Sequence, residues 1–246
     1  MFDIIGDVHG CHDELVSLLK KLGYISMPTG MVHSNRTAVF VGDLCDRGPA
    51  SDKVLSLVMK MVKNSHAVMV MGNHDHKLMR YLRGNKVNIA HGLQSTIDQI
   101  EAMYGSEEFK LTLHEFLATQ PIKLTLDSGK LHIVHAAAPE KYQEELTGKK
   151  KKAQKAFALY GVTTGKTDKD GFPERVDWAQ EYSGKAIVVH GHVVQKEVSI
   201  TNNVFNVDTG CVFGNKLTAL RYPELELVSV KALQTYRHDS KLSPQP

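Results

Sequence analysis

Three glycine-flanked segments hold the residues of this chain best suited to chemistry: Gly6-Asp7-Val8-His9-Gly10, Gly42-Asp43-Leu44-Cys45-Asp46-Arg47-Gly48 and Gly72-Asn73-His74-Asp75. Aspartate, histidine and asparagine together supply the oxygen and nitrogen donors that manganese, iron or zinc prefer. The glycines let the backbone turn sharply and approach an ion or a phosphate without a Cβ clash. Arg47 adds a planar fork of donors suited to phosphate oxygens. Further along, His135 lies in Val134-His135-Ala136-Ala137, and two more imidazoles lie in His190-Gly191-His192. The chemistry to expect is coordination of divalent cations beside a phosphate group.

Elements at regular spacing must position these side chains. Phe2–Ile5 reads as a short strand, followed by a helix with Leu15, Leu18, Leu19 and Leu22 on one face, closed by Gly23. The plan repeats with a strand at Thr37–Val41 and a helix placing Val54, Leu57, Val58 and Met61 inward. It repeats again with a strand at His66–Met71 and a helix through Leu78 and Leu82 that stops at Gly84. Strands and helices alternating in this way predict βαβ units, with the three segments at the C-terminal ends of the strands, where α/β folds gather their sites. Helices are expected near Gln94–Met103 and Glu107–Leu117. Strands follow at Lys123–Leu126, Leu131–His135, Ala186–His190, Val204–Val207, Leu217–Arg221 and Leu225–Val230. The expected fold is α/β, or α+β, with two packed mixed sheets flanked by helices in a single domain over residues 1–246. The tail over 231–246 is polar, contains Pro244 and Pro246, and is expected to be loosely held.

Bulk composition narrows the class. The 246 residues are 42% hydrophobic and 23% charged, an ordinary globular balance that argues against disorder. A formal charge of +3 suits a phosphate-rich partner but is too small to diagnose nucleic-acid binding. Cys11, Cys45 and Cys211 form no C-x-x-C pair and leave one over, so a reducing cytoplasm is the simpler expectation. The sequence begins on an apolar strand without a signal-peptide pattern. No window reaches the roughly 20 apolar residues of a membrane span.

Taken together, the three segments and the two later histidines resemble the phosphoprotein-phosphatase branch of the calcineurin-like metallophosphoesterases. That family carries GDxHG, GDxxDRG and GNH(E/D), followed by two histidines. The resemblance implies a four-layer sandwich, with Asp7, His9 and Asp43 on one divalent cation. Asp43 would bridge to a second held by Asn73, His135 and His192. Manganese is the first expectation, with nickel, iron or zinc as alternatives. Such a pair of ions, about 4 Å apart, ionises a bridging water and clamps the charge of an in-line displacement. Arg47 would grip phosphate oxygens. His74, next to Asn73, would serve as general acid, oriented by Asp46. Asp208, in a segment the family shares, is expected near the phosphate pocket. The family has glycine soon after the first late histidine, whereas this chain has Ala136-Ala137-Ala138; a positive φ there would strain alanine.

Other features receive plainer readings. On a strand, His190 and His192 would face the same side; His192 is preferred because Gly191-His192 matches the family's GH, but both stay open. His12, His76 and His91 are assigned no role, and Asp75 reads as a helix N-terminal acid or a support to the site. Gly165-Lys166-Thr167 lacks the upstream glycine of a P-loop, and a turn at Asp168–Gly171 is expected instead of a helix. Lys149–Lys152 with Lys155 reads as a solvated face, or alternatively as an electropositive rim.

The second half carries substrate clues, again by resemblance. Leu159-Tyr160-Gly161, Thr164–Asp168, Asp170–Pro173, Trp178–Tyr182 and Asp208–Gly214 are similar to segments of the bacterial asymmetrical diadenosine tetraphosphatases. They are also similar to the phosphatase domain of bacterial polynucleotide kinase-phosphatases. Hydrolysis of dinucleoside polyphosphates by a monomer is the first expectation. The alternatives are a 2′,3′-phosphatase acting on nucleic-acid ends or nucleotides, and a protein serine/threonine phosphatase. A binding scaffold with a dead site is the reading from outside enzymology; retention of Asp7, His9, Asp43, Asn73, His74 and Arg47 speaks against it.

Overall fold

Strand β1 (Phe2–Ile5) buries Ile4 and Ile5 completely, although neighbouring strand residues point to opposite faces. A strand with both faces out of water must lie between two apolar layers, and the rest of the chain supplies them. The structure is a computed structural model describing residues 1–140, 143–144, 147–167 and 173–238. Helix α1 (His12–Lys21) buries Leu15, Leu18 and Leu19 at helical spacing, with acids in its first turn and lysines in its last. After the hairpin β2 (Ile25–Met27) and β3 (Gly30–Val32), strand β4 (Thr37–Phe40) pairs parallel with β1. Helix α2 (Ser51–Lys63) then leads to β5 (Ala67–Met69), which pairs parallel with β4, and α3 (Asn73–Leu82) follows. Helices α4 (Leu93–Glu101) and α5 (Ser106–Ala118) complete this side.

The second half runs β6 (Lys123–Leu126), β7 (Leu131–Val134), α6 (Gly148–Tyr160), β8 (Thr163–Thr167) and β9 (Pro173–Arg175). It continues through β10 (Ile187–His190), β11 (Ser199–Thr201), β12 (Val204–Asn206), β13 (Lys216–Tyr222) and β14 (Glu226–Lys231). Two five-stranded mixed sheets result, ordered β14-β13-β1-β4-β5 and β11-β12-β10-β7-β6. The C-terminal strands thus return to the first: β13 lies antiparallel beside β1, with Ile4 opposite Leu220. Between the sheets, Ile4, Val39 and Leu220 meet Leu131, Ile133, Val189 and Phe205. On the far side of the first sheet, Ile5, Phe40 and Ala219 meet the helices around α1 and α2. On the far side of the second, Val134, Val188 and Val204 meet Ala158 of α6 and a short helical turn at Trp178–Glu181. This is the four-layer α/β sandwich that the sequence predicts.

Differences fall where sequence signals are weak. Strands β2 and β11 are short and largely exposed, so no apolar alternation marks them. Helix α6 has only Gln154, Ala158 and Leu159 buried, and its lysine run hides the helical period. Gly165-Lys166-Thr167 lies in exposed β8, which pairs with β9 and not with a phosphate-cradling helix. The turn expected at Asp168–Gly171 lies outside the described residues, as do Asp170–Phe172 among the shared segments. The tail expected to be loose is tied down before residue 239: the Leu233 N–H and the Tyr236 hydroxyl both donate to Glu14 Oε1, at 2.9 and 2.8 Å. Residues 239–246 lie outside the description. Among the described residues, no helix is long and apolar enough to cross a membrane.

Candidate metal centre

Because β1, β4 and β5 run parallel, their C-terminal ends open on one edge of the first sheet, and those of β7, β10 and β12 open together on the second. The turns beyond them carry Asp7 and His9, Asp43 to Arg47, Asn73 and His74, His135, His192, and Asp208. Close approach demands glycine at two of these turns. A Cβ on Gly72 would collide with the backbone and carboxylate of Asp43, and one on Gly191 with Asp7 Oδ1. Several flanking residues are themselves left-handed: His9 (φ 44°), Asp43 (50°), Asp46 (71°), Arg47 (71°) and His192 (69°). Each such conformation costs about 1 kcal/mol or more, and clustering of this kind marks functional sites.

Asp43 lies at the middle. Its Oδ2 is 3.6 Å from His9 Nε2 and 3.4 Å from His135 Nε2, while its Oδ1 accepts the His74 backbone N–H at 2.9 Å. Backbone carbonyls set the tautomers of both rings. His9 Nδ1–H donates to Cys45 O at 2.8 Å and His135 Nδ1–H to Val41 O at 3.0 Å, so each turns an Nε2 lone pair toward Asp43. Asn73 Oδ1 and His192 Nδ1 each lie 3.0 Å from His135 Nε2. Asp7 joins the group through Oδ2, which accepts the His192 backbone N–H at 3.1 Å. Two groups of donor atoms therefore share Asp43: His9, Asp43 and His74 on one side, and Asp43, His135 and His192 on the other.

These residues fit divalent cations. Lone pairs of carboxylate, amide and imidazole face one another at contact distance, which is repulsive unless positive charge lies among them. Two buried atoms of the group, Asp7 Oδ1 and His192 Nε2, have no hydrogen-bond partner among the described residues. Leaving such atoms unsatisfied costs about 1–3 kcal/mol each. Electrostatics agree. Burial pushes Asp7 well above the carboxylate range, with Asp208 and Asp43 adding to the push, and burial lifts Asp208 to about 6. Burial would also raise Asp43, but His135, then His74 and His9, hold it well below its ordinary value. His9 and His192 are depressed by burial first, aided by Arg47 and His135 respectively. Bound dications would favour the ionised acids and the neutral imidazoles alike.

Around this core, His74 Nδ1–H donates to Asp46 Oδ2 at 2.5 Å, and Thr96 Oγ1–H donates to Asp46 Oδ1 at 2.8 Å. Arg47 Nη1–H donates to His9 Nε2 at 2.8 Å, and its guanidinium lies 5.5 Å from the centre of the Phe213 ring. Asp208 is buried, accepts the Gly210 N–H at 3.0 Å and lies close enough to Asp7 to oppose its ionisation. Asp7, His9, Asp43, Asp46, Arg47, Asn73, His74, His135, His192 and Asp208, the site residues expected from sequence, therefore lie together. Asp75, in the first turn of α3, accepts the Gly72 N–H at 3.1 Å through Oδ2 and the Leu44 N–H at 3.0 Å through Oδ1, so it locks the Asp43 turn to that helix. Ala136, Ala137 and Ala138 all avoid positive φ, so the missing glycine brings no strain. Thr96 arrives from α4, and nothing in its local sequence signals its contact with Asp46.

The histidine pair separates. His192 faces Asp43 and His135, whereas the His190 ring lies 5.5 Å from that of Trp178 and donates from Nδ1 to Gly191 O at 2.9 Å. Strand alternation ends at His190, and the left-handed turn at His192 redirects the second ring. Burial lowers His190 to about 4. An imidazole depressed on folding contributes stability in full above its unfolded value near 6.5, and loses it as pH falls toward 4. From pH 7 to 4.5, His190 should account for a loss on the order of 2 kcal/mol. Urea unfolding of His190→Gln at both pH values should show a smaller pH dependence than wild type; an identical dependence would contradict the assignment.

With two mixed sheets facing each other and a shared aspartate between two groups of donors, the chain belongs to the calcineurin-like phosphoesterase family, which its residues 1–196 match. It is accordingly a hydrolase of phosphoric esters or anhydrides. Among curated relatives, it is 46% identical to the asymmetrical bis(5′-nucleosyl)-tetraphosphatase PrpE of Oceanobacillus iheyensis, over 95% of this chain and 93% of the relative. It is 42% identical to the protein of the same name from Bacillus subtilis, over 99% of both chains. A crystal structure named as a candidate diadenosine tetraphosphatase superposes with a TM-score of 0.66 at 23% identity, covering 94% of this chain and 93% of the other. A protein serine/threonine phosphatase from Saccharomyces cerevisiae superposes with a TM-score of 0.63 at 14% identity, covering 97% and 81%. At those identities the two structures speak for the fold alone.

Proposed function

We propose that the chain hydrolyses dinucleoside polyphosphates of the diadenosine tetraphosphate kind, splitting them unequally into a mononucleotide and a nucleoside triphosphate. The observation that carries the hydrolytic centre is the convergence of Asp7, His9, Asn73, His135 and His192 on Asp43, with Asp7 Oδ1 and His192 Nε2 buried and unpartnered. Full-length similarity above 40% to proteins named for this activity supports the substrate class.

In this reading Asp7, His9 and Asp43 hold one cation, and Asp43, Asn73, His135 and His192 the other, manganese being the first choice. Bound there, divalent cations supply Lewis-acid stabilisation of phosphoryl charge and an acidified water. Arg47, tethered over Phe213, offers its fork to phosphate oxygens. His74 carries its mobile proton on Nε2 and gives it to the departing oxygen, because Asp46 holds the other nitrogen protonated. Thr96 keeps Asp46 turned toward His74. Asp208 shapes the charge beside Asp7 at the phosphate end. We take the enzyme to act as a cytoplasmic monomer, where nucleotides and reduced thiols coexist.

The test is a manganese-supplemented panel of diadenosine tetraphosphate, a 2′,3′-cyclic nucleotide, a phosphopeptide and an aryl phosphate. The tetraphosphate should have the highest kcat/KM and yield AMP and ATP. A higher value for the cyclic nucleotide or the phosphopeptide would overturn the assignment.

A further inference from the structure

Beside Asn73 and His74 opens a cavity of about 400 Å³ that the reactions above leave without a role. It runs along α3 past Lys77 and Arg80, meets Lys86 on the following loop, and is bounded by Tyr160 at the end of α6. No carboxylate lines it among the described residues. The contrast with other surface cations is informative: Lys110 and Lys216 are paired with Glu107 and Glu197. Lys77, Arg80 and Lys86 have no carboxylate at ion-pair distance among the described residues. Lys77 gives one N–H to Ala90 O at 2.7 Å, which fixes it to the loop wall and leaves two donors for the cavity. The same loop abuts the phosphate-gripping side of the centre, since Gly92 packs directly on the backbone of Arg47. Positive charge therefore extends from Arg47 past His74 and along one wall.

His74 identifies the side of the reaction that this cavity serves. A general acid faces the departing oxygen, so the cavity that begins at His74 receives the leaving group. Three unpaired cations suit a triphosphate better than a monophosphate, and the half-exposed Tyr160 ring offers a face for a base to stack on. We propose that this pocket seats the nucleoside triphosphate half of a dinucleoside tetraphosphate, with its phosphates on Lys77, Arg80 and Lys86 and its nucleoside against Tyr160. The proposal rests on the tetraphosphatase reading. Water oxygen then bonds to the phosphorus at the mononucleotide end, and the bond from that phosphorus to the bridging oxygen breaks. The bridging oxygen departs with the nucleoside triphosphate and takes the proton of His74, while the proton released by the attacking water passes to solvent, from which His74 is reprotonated. Attack at the γ-phosphorus of the triphosphate half, breaking the same bridge with the mononucleotide as leaving group, would instead leave a single phosphate facing three cations.

Two measurements test this. Hydrolysis of diadenosine tetraphosphate in ¹⁸O water should place the label in AMP; label in ATP overturns the proposal. The double variant Arg80→Ala/Lys86→Ala should lose about tenfold to hundredfold more kcat/KM on the tetraphosphate than on an aryl phosphate. The inhibition constant of inorganic tripolyphosphate against aryl phosphate hydrolysis, with manganese in excess, should rise by a similar factor. Equal losses on both substrates, together with unchanged inhibition, overturn the pocket even if the label enters AMP. If the wild type fails to split the tetraphosphate, the substrate reading falls by itself, and the tripolyphosphate comparison still decides whether the pocket takes polyphosphate.

Discussion

Replacing Asp43 by asparagine is expected to lower kcat/KM by about 10³-fold or more on every substrate and to reduce metal content at both positions. Several kcal/mol of transition-state stabilisation depend on cations that this carboxylate shares, and about 4 kcal/mol corresponds to that factor. The geometry makes the loss specific. Oδ1 is occupied by the His74 N–H, so the charge available to the centre lies on Oδ2, between His9 Nε2 and His135 Nε2. Asparagine preserves the volume and can still accept from His74. Its amide, however, would direct protons toward imidazole nitrogens that hold lone pairs, replacing an attraction for cations with an internal hydrogen bond. Metal analysis after dialysis should show both equivalents falling together, because one residue serves both. The metal-free fold should survive: removing a buried negative charge relieves the repulsion that burdens Asp7. A thermal midpoint of the metal-free variant at or above that of the metal-free wild type would separate a lost site from a lost fold. Full activity with two bound metals would refute the sharing of Asp43.

Much of this centre is legible in sequence because its parts are local. Each cluster of donors spans only a few residues at the end of an apolar strand, and glycines mark where the chain must turn. Asp43, Asp46 and Arg47 are separated by at most four positions, so one turn fixes their relation. What is not legible depends on where distant elements dock. Thr96 reaches Asp46 only because α4 packs against α2, and its surroundings, Gln94-Ser95-Thr96-Ile97, read as an ordinary amphipathic helix. The choice between His190 and His192 turns on the residue at which β10 ends, and boundaries are the weakest part of any periodicity argument. The leaving-group pocket escapes for a different reason. Lys77 and Arg80 are spaced as neighbours on a helix face, which normally means a solvated surface. Only the loop after α3 and the end of α6 convert that face into a cavity. Helix α6 itself is obscured by Lys149–Lys152, whose charges hide its helical period.

The general acid makes the second large prediction, and its size depends on the leaving group. His74→Ala should cost about 10²–10⁴-fold in kcat/KM on an alkyl phosphate, whose alkoxide cannot depart without a proton. The same change should cost far less on an activated aryl phosphate. On a dinucleoside tetraphosphate the loss should also be small, because the departing terminal phosphate, with its last ionisation at roughly pH 6, can leave as an anion once the His74 proton is missing. The order of losses, alkyl above aryl and tetraphosphate, is thus the signature of proton donation. Loss of a merely structural side chain would depress all three alike, and the hold on Asp43 is not at issue, because it runs through a His74 backbone N–H that alanine retains. Asp46→Asn provides the companion measurement. Its amide can present an N–H to His74 Nδ1, which keeps the ring in place as a neutral imidazole with its one proton on Nε2, a far weaker acid than the imidazolium that the Asp46 carboxylate supports. That variant should reproduce the alkyl-selective loss with metal content intact. A uniform loss in both variants would move His74 from proton donor to structural support of the centre, where its ring packs edge-on at 4.9 Å from that of His9. It would also remove the argument that the cavity beside His74 lies on the leaving-group side.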